Sequence, residues 1–154
     1  MTLPRLPDIR FKDACSDAQA FRFNGEGALP CTYLAGNAMA ECWRLGPGFG
    51  FVIRHARETG DLVADTKAVY SELLNSVRQS PQPYLIRIWN YFSDINRGDE
   101  DAERYRQFCV GRAQAVDGAF NNPPPAATAI GAPTPCGLHV IALSSEQPAV
   151  ALEN

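Results

Sequence analysis

Apolar residues between positions 65 and 80 recur at helical spacing: Val69, Leu73 and Val77 are four apart, and Tyr70 and Leu74 widen the stripe. That period predicts an amphipathic helix over 65–80, which Pro81 and Pro83 prevent from continuing. From Tyr84 to Phe92 the pattern changes to a nearly continuous apolar run with Leu85, Ile86, Ile88 and Trp89, which predicts a mostly buried central strand and the best core candidate. A polar break over 93–98 leads to a second predicted helix over 99–120, with Asp99, Glu100 and Asp101 in the first turn, where the helix dipole favours negative charge. Tyr105, Phe108, Cys109, Arg112, Val116 and Phe120 fall on one face of it. A guanidinium in that stripe is unexpected.

The flanking segments are shorter. Residues 1–33 mix Pro4, Pro7, Gly25, Gly27 and Pro30 with brief apolar pieces and predict an irregular N-terminal arm with one or two short strands. Between Thr32 and Arg57, Cys42-Trp43 and Phe49-Gly-Phe-Val-Ile are separated by Gly46-Pro47-Gly48, the pattern of a hairpin-like strand pair. After a rigid connector at Asn121-Asn-Pro-Pro-Pro, short strands are predicted at 126–131 and 137–143, and an edge strand at 149–152. Two one-sided helices alternating with strands predict an α/β (α+β) domain over 34–154, a mixed sheet with both helices on one face.

At 154 residues and 45% apolar, the chain has the size and content of one folded domain. No run approaches the ~18 apolar residues of a membrane span, and the start lacks the features of a signal peptide, so the expected location is cytoplasmic. The net charge of −3 gives no electrostatic case for nucleic acid or an anionic membrane. Five cysteines without a C-x-x-C pair, and histidines 55 and 139 outside metal-ligand spacing, predict free thiols and no metal site. Twelve of the fourteen basic residues are arginine, whose rigid fork suits carboxylates and phosphates. None lies beyond Arg112, so an anion site must draw its cations from upstream.

Glu58-Thr-Gly-Asp-Leu-Val-Ala-Asp-Thr-Lys, the following helix, the strand ending in Ser-Asp-Ile-Asn and the second helix together resemble the Rid/YjgF superfamily over roughly residues 40–147. Three stretches are more specifically similar to the chorismatase family of chorismate hydrolases: Ile88-Trp-Asn-Tyr-Phe-Ser-Asp-Ile-Asn, Glu103-Arg-Tyr-Arg-Gln-Phe-Cys-Val-Gly-Arg and Pro125-Ala-Ala-Thr-Ala-Ile-Gly. The resemblance implies a Rid/YjgF-like fold, chorismate as substrate, pyruvate and a hydroxybenzoate or dihydroxycyclohexadiene carboxylate as products, and no cofactor. It is to the N-terminal half of that family, whose catalytic glutamate and several carboxylate-binding arginines lie in the other half. The chain is therefore expected to be truncated relative to the family and incomplete or inactive alone, with no catalytic residue of its own. It is expected to work as a homo-oligomer, a trimer, or with a second chain carrying the missing half.

Arg112 ranks first among substrate-binding candidates, because a guanidinium on an inner helix face is costly to desolvate unless an anion or several acceptors meet it. Tyr105 lies seven residues earlier on the same face and can reach a carboxylate through its hydroxyl. Arg106, six residues before Arg112, lies about 240° around the helix and cannot point at the same ligand from the same face. Asn90 is a hydrogen-bonding candidate on the central strand, with Trp89 a core residue, and the alternation places Arg87 opposite the helices or at a subunit contact. Cys136 with His139 lacks any sign of an orienting third group, and Asp117, Glu146 and Glu153 do not match the family's catalytic acid. Enamine deamination, the chemistry of stand-alone relatives, is disfavoured because Ala127 stands where they carry an arginine. The remaining alternative is a non-catalytic small-molecule-binding or assembly module.

Overall fold

The structure, a computed structural model, describes residues 31–36, 40–45, 48–55, 59–81, 83–118, 125–132 and 137–148. Within them the chain forms β1 (Cys31–Gly36), β2 (Ala40–Leu45), β3 (Gly48–His55), α1 (Leu62–Gln79), β4 (Tyr84–Phe92), α2 (Arg104–Val116), β5 (Ala126–Gly131) and β6 (Leu138–Ser145). The strands make one six-stranded sheet in the order β1-β2-β3-β6-β4-β5. Only the β4–β5 pair is parallel, so the sheet is mixed. Residues 1–30 of the expected arm, most of the connector before Pro125 and the expected strand at 149–152 lie outside the described residues.

α1 begins three residues before the periodicity predicts, because Asp61 caps it. The Asp61 carboxylate accepts from the Ala64 N–H at 3.1 Å. Asp65, which the pattern places at the start, is a buried residue at the end of the first turn. Its carboxylate accepts from the Thr59 N–H at 2.9 Å and the Thr59 hydroxyl at 2.7 Å, tying the incoming loop to the helix. At the other end Ser80 donates from its backbone and side chain to the Val77 carbonyl, at 3.1 and 2.7 Å. Asp65→Ala would remove both acceptors that hold the Thr59 donors. Hydrogen bonds to a charged group contribute about 1.5–3 kcal/mol, so the variant is expected to lose about 2 kcal/mol of stability in urea unfolding, with its m-value unchanged.

The second helix departs further from expectation. Asp99, Glu100 and Asp101 precede it, in a loop that ends in a single 3-10 turn over Glu100–Ala102, and the first turn of α2 holds no acidic residue. The chain reverses there through Gly98 at φ 102° and Glu100 at φ 51°, and Glu103 is extended, which separates the turn from the helix. The first helical N–H groups are met by loop carbonyls instead of carboxylates: Arg104 N–H donates to Arg97 and Tyr105 N–H to Ile95, both at 2.9 Å. α2 ends at Val116, short of 120.

α1 packs on β2, β3 and β6, and α2 packs along α1, so both helices cover one face of the sheet, as expected. Val69, Tyr70, Leu73 and Val77 of α1 meet Ile88 and Phe92 of β4, Phe108 of α2, and Leu138, Val140 and Ala142 of β6. Phe108 stacks on Phe92 at 5.1 Å and meets Tyr70 edge-on at 6.1 Å. The crossing of the two helices is set by Gly111, where an added Cβ would stand 2.4 Å from the Val63 carbonyl oxygen. Among the strands whose burial is described, β6 is buried from Leu138 through Ser144 and is more enclosed than β4. The reason is position: β6 lies between β3 and β4, whereas β4 borders the largely exposed edge strand β5.

Candidate carboxylate site

Strand alternation sorts the polar residues of β4 onto two faces. Ile88, Asn90 and Phe92 point beneath the helices, and Arg87, Trp89 and Tyr91 point the other way and are half-buried. On the helix side, Tyr70 is fully buried and donates its hydroxyl hydrogen to Asn90 Oδ1 at 2.5 Å. Asn90 Nδ2 donates in turn to the Thr128 carbonyl on β5 at 3.1 Å. Burial pushes the Tyr70 phenol far above its usual pKa, with Arg112 and the Asn90 hydrogen bond pulling weakly the other way, so it is neutral at physiological pH.

α2 carries the rest of the site at helical spacing. Tyr105, Cys109 and Arg112 are i, i+4 and i+7 on one face. Tyr105 is 43% exposed, its ring stacks along Phe108 at 6.4 Å, and its hydrogen bond with Cys109 raises its pKa while the Arg112 charge opposes the rise. Arg112 is half-buried. Its Nε is shielded from solvent and has no hydrogen-bond partner, and no carboxylate among the described residues pairs with the guanidinium. A shielded, unsatisfied donor costs about 1–3 kcal/mol, and here the group is also charged. The polar groups named beside it are two phenols, a thiol and an amide, with no carboxylate among them. The arrangement can accept one anionic oxygen pair, with the exposed Tyr105 hydroxyl at its rim.

The other candidates lie elsewhere. Arg106 is 57% exposed and forms ion pairs with Asp101 at 3.4 Å and Glu103 at 3.5 Å, so it faces solvent and not the Arg112 stripe. Exposed pairs of this kind contribute little. Arg87 is on the outer face of the sheet, where it donates to the Thr128 hydroxyl and lies over the Trp89 ring at 5.4 Å. Burial raises the pKa of neighbouring Tyr91, and Arg87 opposes this. Trp89 is thus a half-buried partner of Arg87 rather than an inner core residue. Arg112 and Arg87 stand on opposite sides of the sheet and cannot grip one ligand within a single chain.

Tyr70 is the residue of this cluster that sequence reasoning missed, since a tyrosine in a helical stripe reads as packing. Its signal was the hydroxyl, which needs a partner when buried. Cys42 and Cys109 are free thiols, and burial raises the pKa of Cys42. His139 is buried on β6, and Cys136 and Glu153 lie outside the described residues. Asp117 and Glu146 are exposed. Among the described residues there is no group of three metal-ligating side chains, and no helix is long and apolar enough to cross a membrane.

Comparison with known proteins agrees with this architecture. The family model described as chorismatase FkbO/Hyg5-like, N-terminal, matches residues 32–144. A chorismatase of Streptomyces rapamycinicus is 42% identical over 93 residues, which are 58% of this chain and 28% of the relative. A 3-hydroxybenzoate synthase of Streptomyces hygroscopicus is 37% identical over 60 residues, 38% of this chain and 18% of the relative. The crystal structure of a chorismatase superposes with a TM-score of 0.62 at 33% identity, over 82% of this chain and 36% of that one. Yeast Mmf1, at 10% identity and a TM-score of 0.50, shares the fold over 78% of this chain and 98% of its own. The chain therefore spans well under half the length of the chorismatases it matches.

Proposed function

We propose that this chain, which belongs to the FkbO/Hyg5-like chorismatase family, holds a carboxylate of chorismate and depends on further polypeptide to release pyruvate from it. Arg112 carries the reading: a half-buried guanidinium with a shielded Nε and no paired carboxylate among the described residues is a cation lacking its anion. Chorismate has two carboxylates and an enolpyruvyl ether, and releasing pyruvate requires a proton delivered to the methylene carbon. No carboxylic acid stands among the groups described around Arg112 to deliver it. Tyr70 has committed its hydrogen to Asn90 and resists ionisation, and neither Asp nor Glu stands among the groups described around the guanidinium. Differential stabilisation of the transition state needs the proton donor as well as the clamp.

Within this reading Arg112 and Tyr105 contact substrate, and the acid and the clamp for the second carboxylate come from another chain or another part of the protein. The products are those of the family, pyruvate with a hydroxybenzoate or a dihydroxycyclohexadiene carboxylate. The protein works in the cytoplasm, in keeping with its free thiols Cys42 and Cys109. The test is a titration of the isolated chain with chorismate, followed by NMR and by a coupled pyruvate assay. Saturable shifts centred on Arg112 and Tyr105 without pyruvate release are expected. No chorismate-dependent change up to millimolar concentration would defeat the proposal, and steady pyruvate release would show that the acid is within this chain.

The outer face of the sheet favours a partner. Tyr84 and Ile130 are each 38% exposed at the two ends of the Arg87–Trp89–Tyr91 row, and exposed aromatic and aliphatic side chains on one sheet face suit an interaction site. The expected assembly is a trimer, with Arg87 at the subunit contact. Light scattering should give three times the 16.8 kDa chain mass at micromolar concentration. A clean monomer would leave the face without its proposed partner. The same absence of an acid near Arg112 favours, as a second reading, a binding or assembly module without catalysis of its own.

A further inference from the structure

Side chains of an α-helix lean toward its N-terminus, so a long residue covers the turn before its own Cα. Arg112 therefore lies back over the turn of α2 that carries Cys109, three positions earlier, and at that spacing Cβ atoms stand about 5–6 Å apart. Cys109 is a half-buried free thiol packed at the margin of the core. Tyr105, four positions earlier again and 43% exposed, hydrogen-bonds with it from the rim. Arg106 is also three positions from the thiol, but it leans away from it and is taken up by Asp101 at 3.4 Å and Glu103 at 3.5 Å. The positive charge left beside the sulfur is that of Arg112, whose guanidinium no carboxylate among the described residues pairs with.

We propose that Arg112 and Cys109 form a carboxylate-directed alkylation site: a small carboxylate with an electrophilic carbon next to its carboxyl group is held by the guanidinium and attacked by the thiol sulfur. Two atoms separate the anionic oxygen of such an acid from its reactive carbon, a reach that suits neighbours on one helix face. In the step the sulfur, having passed its proton to solvent, forms a bond to that carbon, the carbon–halogen bond breaks, and halide leaves with the electron pair. The pairing sets the ligand class. A neutral electrophile of the same size lacks the anchor, whereas a carboxylate without an electrophilic carbon binds and covers the sulfur. This inference rests on the reading of Arg112 as the carboxylate holder and extends that site to Cys109, since a ligand touching both Arg112 and Tyr105 must pass over the residue between them.

The experiment compares iodoacetate with iodoacetamide, which share a leaving group and nearly a size but differ in charge. Each is reacted with the full chain at one pH, and modification of Cys109 is followed by mass spectrometry of its peptide, with free cysteine giving the intrinsic ratio of the two reagents. Relative to that ratio, iodoacetate should be favoured about tenfold at Cys109, the low end of what a local field adds to the concentration of a counter-ion. Arg112→Met, which keeps the buried stem and removes the charge, should lose the preference, and Arg106→Ala should keep it. If Arg112→Met does not fold, salt carries the test in the wild-type chain, where the preference must shrink as ionic strength rises. Chorismate should slow the alkylation of Cys109 by occupying the guanidinium. No preference over free cysteine, the same preference in folded Arg112→Met, or a Cys109 that neither reagent modifies overturns the proposal. If the preference depends on Arg112 but chorismate gives no protection, the alkylation site stands and the chorismate reading falls. Chorismate binding that depends on Arg112, without the preference, sustains that reading and overturns this one.

Discussion

Replacing Gly111 with alanine should lower the melting temperature by about 10 °C, although alanine is the better helix former. In an exposed helix interior the substitution would gain about 1 kcal/mol. At this position the new Cβ would stand 2.4 Å from the Val63 carbonyl oxygen and 2.8 Å from Thr66 Cβ. Neither neighbour can yield cheaply. Val63 is in the first turn of α1, beside the Asp61 cap, and Thr66 is fully buried with its hydroxyl bound to the Leu62 carbonyl at 2.6 Å. The helices must move apart, which loosens Phe108 from Tyr70 and Phe92. Overpacking of this kind costs about 1–3 kcal/mol and occasionally more, and contact with backbone places it near the top, at about 3 kcal/mol net. At roughly 3 °C per kcal/mol for a domain of this size, calorimetry should see the shift. An unchanged or higher melting temperature would mean that the two helices do not cross as described.

Periodicity carried much of the fold because the helices and inner strands each bury one consistent set of side chains. The stripe Val69, Leu73, Val77 of α1 and the run from Tyr84 to Phe92 are both present at the expected places. Helix starts were less legible, since they depend on individual hydrogen bonds. The pattern starts α1 at Asp65, but the helix starts at Leu62 behind the Asp61 cap and Asp65 holds Thr59; the acids at 99–101 look like a helix start but precede one, since the turn at Gly98 and Glu100 and the extended Glu103 intervene. Gly111 gave no signal at all, because its reason is a contact with a helix about fifty positions earlier.

The site shows the same division. Arg112 was legible because a charge in an apolar stripe is anomalous within its own helix. The Tyr70–Asn90 bond joins residues 20 apart on different elements, and the Asn90–Thr128 bond joins residues 38 apart. Single-sequence periodicity contains no term for such pairings. The alternation of β4 did predict that Arg87 faces away from the helices, and the structure places it there, against Thr128 and Trp89.

The second large effect is expected at Arg112, and its measurement tests the account most directly. Losing one charge-assisted contact costs about 1.5–3 kcal/mol, which is roughly a tenfold to hundredfold loss of affinity. Arg112→Ala should weaken chorismate binding by that factor with the fold intact. Arg112→Glu, which adds repulsion between like charges, should abolish it at millimolar ligand. Arg78→Ala, on the exposed side of α1, should bind as the wild type does. The deciding quantity is the calorimetric dissociation constant for chorismate in wild-type and Arg112→Ala protein, with far-UV circular dichroism confirming that both are folded. A rise of ten- to a hundredfold is the result expected here, and an equal constant in the two proteins would contradict the assignment of Arg112 as the carboxylate holder.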